Sequence, residues 1–130
     1  MFVDSSFLVA LARGDDDAAA FYRANEYEEY SATTIVGYEL FAGLVDRGRG
    51  DLVDELKRDL DWVDFEPFQL ADAAETARIE GELAREGTPI PVPDAMIAAS
   101  ARGRGEPLVG ADEHFERVRE LSYRDFRRAE

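Results

Sequence analysis

Three stretches of this 130-residue chain are almost free of charge, and each contains a single charged residue, which is a carboxylate. They are residues 1–12 with Asp4, residues 32–45 with Glu39, and residues 88–101 with Asp94. Because 34% of the chain is charged, such stretches are expected to be buried, where an unpaired carboxylate is costly. No Lys or Arg lies within any of the three to pair with its acid. We therefore predict that these acids share a metal site.

The apolar pattern alternates between short runs typical of buried strands and longer stretches with helical spacing. Strands are predicted at residues 1–4, 30–33, 63–67, 108–110 and, as an edge strand, 122–126. Helices are predicted at residues 6–13, 16–27, 34–45, 52–60, 71–86, 93–102 and 112–119. Alternating strands and helices predict an α/β fold, a three-layer sandwich whose mostly parallel central sheet is flanked by helices. The length suits a single domain spanning residues 1–130.

Composition narrows the classes of function. The chain has no cysteine, which excludes disulfides and thiolate zinc sites. The formal net charge of −14 lowers the expectation of a nucleic-acid partner, because affinity for phosphates comes largely from Lys and Arg. However, Lys57 is the only lysine, and abundant acids with almost no lysine are typical of proteins from organisms with a very salty cytoplasm. We therefore predict a halophilic source, in which screening leaves only close contacts effective.

The N-terminus carries no sign of a membrane segment. It lacks a basic region, and the apolar run at residues 7–12 is too short to span a membrane and is soon followed by three aspartates. We predict a cytoplasmic protein without a membrane partner.

The predicted topology brings the acids toward one edge of the sheet. Asp4 ends the first strand and Asp112 follows the strand at 108–110, so both should project from the carboxyl edge, where ligands of such sheets bind. Glu39 lies on the inward face of its helix, and Asp94 begins another helix. Two carboxylates about 4 Å apart repel by roughly 4 kcal/mol at an effective dielectric constant near 20, which raises a pKa or recruits a cation. Oxygen ligands without cysteine favour Mg²⁺ or Mn²⁺ over zinc.

Each acid also has a purely structural interpretation. Asp4 could cap the helix that follows it, Asp94 could complement a helix dipole, and Glu39 could pair with an arginine from elsewhere in the chain. Asp112 is the least distinctive, since other acids flank it. His114, the only histidine, is assigned to the packing or the surface of its short helix rather than to catalysis.

Four strings occur in order along the chain: VDSSFLVAL, YELFAGL, PVPDAMIAA and LVGADEHFERV. At these separations, from Val3 to Val118, they resemble the PIN-domain ribonucleases, particularly the VapC toxins of toxin-antitoxin pairs. The resemblance implies a PIN-like fold and a metal-dependent endoribonuclease that hydrolyses RNA with a metal-activated water. The resemblance also implies one or two Mg²⁺ or Mn²⁺ ions. Their ligands would be Asp4, Glu39, Asp94 and Asp112.

The same resemblance implies further features. Ser6 would hold the Asp4 carboxylate in place through its hydroxyl. A cognate antitoxin would occupy the site, and the protein would be a homodimer. Exposed apolar residues on the helix of Phe41 and Leu44 would supply the groove for the antitoxin.

One departure from the family pattern precedes the last acid. Gly110 and Ala111 stand where family members usually have Ser or Thr followed by a polar residue. We expect a weaker support of Asp112 and of a second metal ion. This favours an alternative function, a catalytically weakened PIN-domain module that mainly binds an antitoxin or RNA. A protein of the same fold that cleaves DNA instead of RNA is a further alternative.

Several arginines follow apolar helices. Either they flank the mouth of the site and contact RNA, or they only complement the dipoles of their helices. The sequence does not distinguish these two roles. The arginines are Arg13, Arg47, Arg49, Arg102 and Arg104.

Overall fold

A computed structural model describes residues 1–128, which form a five-stranded sheet flanked by six α-helices. The strands are β1 (Phe2–Val3), β2 (Ser31–Thr33), β3 (Asp64–Glu66), β4 (Leu108–Gly110) and β5 (Tyr123–Asp125). The helices are α1 (Ser5–Ala12), α2 (Asp16–Ala24), α3 (Thr34–Asp46), α4 (Val53–Asp59), α5 (Leu70–Glu86) and α6 (Val92–Gly103). Residues 129 and 130 of the predicted domain lie outside the described part.

The order of the strands predicts where on the sheet a ligand would bind. All strands are parallel, in the order β3-β2-β1-β4-β5. The chain moves outward from β1 to β3 and then returns through α5 and α6 to β4, on the other side of β1. Ligands bind at the carboxyl ends of strands where the order reverses in this way. The predicted α/β sandwich is confirmed, and the site is expected between the ends of β1 and β4.

Burial of the two central strands explains their composition. Phe2, Val3, Leu108 and Val109 are at most 2% exposed, as expected for parallel strands covered on both faces. Because both faces are covered, a charged side chain can reach water only beyond the end of such a strand. Asp4 directly follows β1 at this position.

Two predicted helices differ from the observed elements. The helix predicted at 16–27 ends at Ala24, where the side-chain amide of Asn25 donates to the carbonyl of Phe21 at 2.9 Å. Tyr27 is 95% exposed and offers no burial to support another turn. The helix predicted at 112–119 is a shorter 3₁₀ turn at Glu113–Arg117. A second 3₁₀ turn, Gly50–Leu52, precedes α4.

Arg102 and Arg104 do not flank the mouth of the site. They end α6, whereas Asp94 begins it, and eight residues of α-helix separate Asp94 from Arg102 by about 12 Å. Arg102 bonds to Glu75 at 2.7 Å and to Glu82 at 2.9 Å on α5. Arg104 bonds in the same way to an aspartate of α5. The sequence leaves two roles open for these arginines, and the structure shows them in ion pairs with acids of α5.

Arg102→Ala is expected to destabilise the protein by about 3 kcal/mol, because it leaves largely buried Glu82 without its hydrogen-bonded cation and Glu75 with only the exposed Arg78. Arg78→Ala is the control, since Arg78 also bonds to Glu75 but is 67% exposed, and it should change stability by less than about 1 kcal/mol. Urea unfolding of both variants at pH 7 measures the difference. Equal losses would show that the burial of Arg102 is unimportant.

No helix within residues 1–128 is both long enough and apolar enough to cross a membrane.

Candidate metal centre

Asp4 is buried at the junction of β1 and β4. Its backbone N–H donates to the carbonyl of Val109 at 3.0 Å, and the residue is 4% exposed. Its Oδ1 accepts from the Ser6 hydroxyl at 2.7 Å and from the Phe7 N–H at 3.0 Å, so Asp4 caps α1. The Ser6 hydroxyl also accepts from the Ala111 N–H at 3.1 Å. Ser6 therefore holds the Asp4 carboxylate and ties it to the loop that follows β4.

Gly110 makes room for this carboxylate. A Cβ at position 110 would lie 2.6 Å from Cγ of Asp4 and closer still to Oδ2. No side chain is compatible with both backbones and the observed orientation of Asp4. The glycine that departs from the family pattern thus lies directly against the carboxylate of the first acid.

A second group of side chains lies at the same edge. Asp94 stands in the first turn of α6 with a side chain that is 16% exposed, and Asp112 caps the 3₁₀ turn after β4. Nδ1 of His114 is 2.7 Å from Oδ2 of Asp94 and 3.2 Å from Oδ1 of Asp112. One ligand atom from each of the three residues lies within 4.8 Å of the others. In residues 1–128 this is the only group of three or more His, Cys, Asp or Glu residues with such spacing.

The structure adds to the sequence analysis, which assigned His114 to the packing or surface of its turn, two contacts of its ring that were not predicted. Its ring is 31% exposed and faces two acids. Asp94 is distant in sequence, so no local pattern could show this contact. The available signal was the Asp-x-His spacing, because the His114 N–H donates to Oδ1 of Asp112 at 2.9 Å and so directs the residue to the same side.

Asp112 has firm support despite the missing hydroxyl at position 110. Its backbone N–H donates to the hydroxyl of Tyr123 on β5 at 2.9 Å. Its carboxylate accepts from the backbone of His114. These contacts hold Asp112 although it is 40% exposed.

Glu39 approaches the group from α3. It is half-buried, and its Oε1 accepts from the Ser5 hydroxyl at 3.1 Å. Glu39 and Asp4 fall outside the closely spaced trio of Asp94, Asp112 and His114. The structure therefore brings two of the four predicted acids into direct proximity and places the other two around them.

The pKa values of three of these acids, Asp4, Glu39 and Asp94, are raised in part by the charges of neighbouring acids. Burial, reinforced by the charges of Asp112 and Asp94, raises the pKa of Asp4 to about 6 against the opposing hydrogen bonds. Burial also raises the pKa of Glu39, with a contribution from Asp94. The pKa of Asp94 is raised by burial and by Asp112, while His114 opposes the rise. Excess negative charge of this kind is relieved by a cation.

The donor set fits a divalent cation. Two neighbouring ligands, each about 2.1 Å from an octahedral ion, are about 3 Å apart. The separations of 2.7 and 3.2 Å from Nδ1 of His114 to the two carboxylates agree with this spacing. Asp94, Asp112 and His114 could therefore hold an ion, with Asp4 and Glu39 close enough to feel its charge.

Comparison with known proteins identifies the family of the chain. The family model of the PIN domain matches residues 1–121. The chain belongs to the PIN domain family. A comparison of this PIN domain protein with curated sequences gave no significant match.

Solved structures share the fold of this PIN domain. FitAcB from Neisseria gonorrhoeae has a TM-score of 0.85 at 18% identity, over 98% of this chain and 99% of that one. VapBC2 from Rickettsia felis, bound to a DNA fragment from its promoter, has a TM-score of 0.83 at 19% identity, over 95% and 96%. A toxin-antitoxin complex from Klebsiella pneumoniae has a TM-score of 0.73 at 16% identity, over 92% and 93%. These likenesses concern the fold.

A groove on the PIN domain adjoins the acidic edge. It has a volume of about 620 Å³ and lies between α1, α3 and α4. Glu39 and Ser5 line it, as do Arg13 and Arg47. Its apolar lining includes Leu8, Leu40, Leu44, Leu56 and Trp62.

The lining of the groove shows which of the predicted apolar residues and arginines lie at this surface. Leu44 lines it, whereas Phe41 is not among the lining residues and lies near Gly37. Arg13 and Arg47 line the same groove as Glu39, while Arg49 pairs with an aspartate in the exposed turn before α4. Of the five arginines, Arg13 and Arg47 are thus the two that line this groove.

Gly110→Ala is expected to destabilise this PIN domain by about 1–3 kcal/mol, because the added Cβ overlaps the Asp4 carboxylate. Gly81→Ala on α5 is the matched control. There a Cβ would meet only the flexible end of Arg85 at 3.4 Å, so the gain in helix propensity should stabilise by about 0.5–1 kcal/mol. Opposite shifts of the urea midpoint are expected. An unchanged midpoint in Gly110→Ala would contradict the steric role of the glycine.

Proposed function

We propose that this PIN domain protein is a metal-dependent endoribonuclease that acts in the cytoplasm as the toxin of a toxin-antitoxin pair. The observation that supports it most is the half-buried group of Asp94, Asp112 and His114 beside buried Asp4, at the edge where the strand order reverses. The fold is also that of solved complexes named as VapBC and toxin-antitoxin proteins. Because the site itself is acidic, a bound cation would be needed to bring a negatively charged phosphodiester next to these carboxylates.

The chain's own residues position the ion and the substrate. Asp94 and Asp112 would hold Mg²⁺ or Mn²⁺, and Glu39 and Asp4 would add negative charge around it. A bound divalent ion lowers the pKa of a coordinated water and neutralises charge on the scissile phosphate. Ser6 and Ser5 fix the orientation of Asp4 and Glu39 through hydrogen bonds, so little rearrangement is needed when RNA binds.

Cleavage of a labelled single-stranded RNA by the antitoxin-free protein tests the proposal. We expect Mn²⁺ or Mg²⁺ to support cleavage and EDTA to abolish it. A single-stranded DNA of the same sequence serves as the control for substrate class and should stay intact. A protein that binds RNA or an antitoxin but cleaves nothing with either ion would be the weakened interaction module. Cleavage that persists in EDTA would exclude the metal mechanism.

We further propose that the groove between α1, α3 and α4 binds the cognate antitoxin, whose bound segment would reach Glu39 and block the site. An apolar segment would bury the leucines of the groove, and Arg13 and Arg47 would face its acidic groups.

Leu44→Glu is expected to weaken antitoxin binding by about 30-fold or more, because it puts a charge into the apolar lining. Cleavage by the free protein should be unchanged. Isothermal titration with the purified antitoxin measures the affinity. Leu70→Glu is the control, since Leu70 is 87% exposed on α5 and should bind the antitoxin normally. Normal binding by Leu44→Glu would place the antitoxin elsewhere.

The predicted homodimer belongs to the same proposal. Tyr38 and Val45 on α3 are 70% and 58% exposed and could contribute to a contact between two copies. Light scattering should give twice the chain mass of 14.5 kDa.

A further inference from the structure

His114 contributes the one nitrogen atom in the closely spaced group of Asp94, Asp112 and His114. Its backbone N–H is bonded to Asp112, which fixes the residue on the 3₁₀ turn. Its Nδ1 faces Asp94 at 2.7 Å and Asp112 at 3.2 Å, so this atom points into the group rather than to solvent.

A single hydrogen bond from His114 to one acid would not account for the second carboxylate near the same nitrogen. An imidazole Nδ1 has either one proton or one lone pair, so it can make one good hydrogen bond. Here two carboxylates approach the same atom. A cation in contact with all three atoms would satisfy each of them, and the atoms already have the spacing of neighbouring ligands.

The type of donor decides which ion is favoured. Mg²⁺ prefers oxygen ligands and gives up its waters reluctantly. Imidazole nitrogen suits transition ions better than it suits Mg²⁺. We propose that Nδ1 of His114 is a ligand of the divalent ion, and that it makes the site prefer Mn²⁺ over Mg²⁺. This inference rests on the proposed metal-dependent function.

Electron paramagnetic resonance of Mn²⁺ with the untagged full-length protein tests the ligand directly. Because His114 is the only histidine of the chain, imidazole ¹⁴N modulation in the pulsed spectrum of bound Mn²⁺ can arise only from it. We expect this modulation in the wild-type protein and its absence in His114→Gln. Bound Mn²⁺ without nitrogen modulation in the wild type would overturn the proposal.

Competition between the two ions tests the preference. In a Mn²⁺ titration with and without Mg²⁺, His114→Gln should raise the Kd for Mn²⁺ about tenfold or more and the Kd for Mg²⁺ by less than about threefold. Asp94→Asn, which replaces a charged carboxylate ligand by a neutral amide, should weaken the binding of both ions. Equal weakening of both ions in His114→Gln would overturn the preference.

The outcomes separate this inference from the proposed function. A wild-type protein that binds neither ion contradicts both. A protein that binds both ions and cleaves RNA, yet shows no nitrogen coupling, contradicts the role of His114 alone. Circular dichroism without metal establishes whether His114→Gln is folded, and if it is not, the wild-type spectrum decides.

Discussion

Asp94→Asn is expected to abolish metal-dependent RNA cleavage, with a loss of at least about a hundredfold. Removing a residue that merely supports a metal ligand already costs about 10- to 100-fold, and Asp94 is a ligand in the proposed site. The fold should persist, because asparagine has the same shape and its carbonyl oxygen can still accept from His114. Initial rates of RNA cleavage in Mn²⁺, with thermal unfolding of the same samples, measure both effects.

Glu82→Gln is the matched control for this substitution. Glu82 is also a largely buried carboxylate with a single strong partner, Arg102, but it lies on α5. The variant should cleave RNA at the wild-type rate. Full cleavage by a folded Asp94→Asn protein would show that the reaction does not need the Asp94 carboxylate.

Asp4→Asn is expected to stabilise the metal-free protein at pH 7.5 by about 1–3 kcal/mol while it abolishes cleavage. The pKa of Asp4 rises on folding from its ordinary value of 3.8 to about 6, chiefly through burial. A raised pKa means that the folded state holds the proton more tightly. The stability that this proton contributes is complete below about pH 4 and is lost as the pH rises through about 6. Over about two pH units the loss is at most about 3 kcal/mol.

The pH profile distinguishes this effect from a general change in packing. Asparagine does not titrate, and its carbonyl oxygen can accept from Ser6 and Phe7 as Asp4 does. Urea unfolding in EDTA should therefore give similar stabilities near pH 4 and an advantage of Asp4→Asn that grows between about pH 4 and 6 and then stays constant to pH 7.5. A constant difference at all pH values would contradict the shift of the pKa. Mn²⁺ should stabilise the wild type and have a smaller effect on the variant.

Much of the fold could be predicted because the relevant signals are local. The apolar runs at 1–4, 30–33 and 108–110 are short and nearly uncharged, so their burial in a parallel sheet follows from composition and period. The ends of these strands then bring Asp4 and Asp112 to one edge. The end of α2 was predicted too late, because Tyr27 is apolar in character but faces solvent.

The site was less predictable because its contacts are not local. His114 faces Asp94 only because the 3₁₀ turn after β4 lies beside the start of α6. Arg102 and Arg104 follow an apolar helix as Arg13 does, yet they pair with acids of α5 at the opposite end of α6. A helix pattern shows which residues share a face but not which end of the helix reaches the site.

The contact of the Asp4 carboxylate with Gly110 links two positions that are far apart in the chain. The carboxylate of Asp4 occupies the volume that a side chain at 110 would need. Any mutation that introduces a side chain at 110 therefore acts on the orientation of Asp4 first. In a library that randomises this protein, we therefore expect the effect of a residue other than glycine at 110 to depend on the residue at position 4, so that the two positions are genetically coupled.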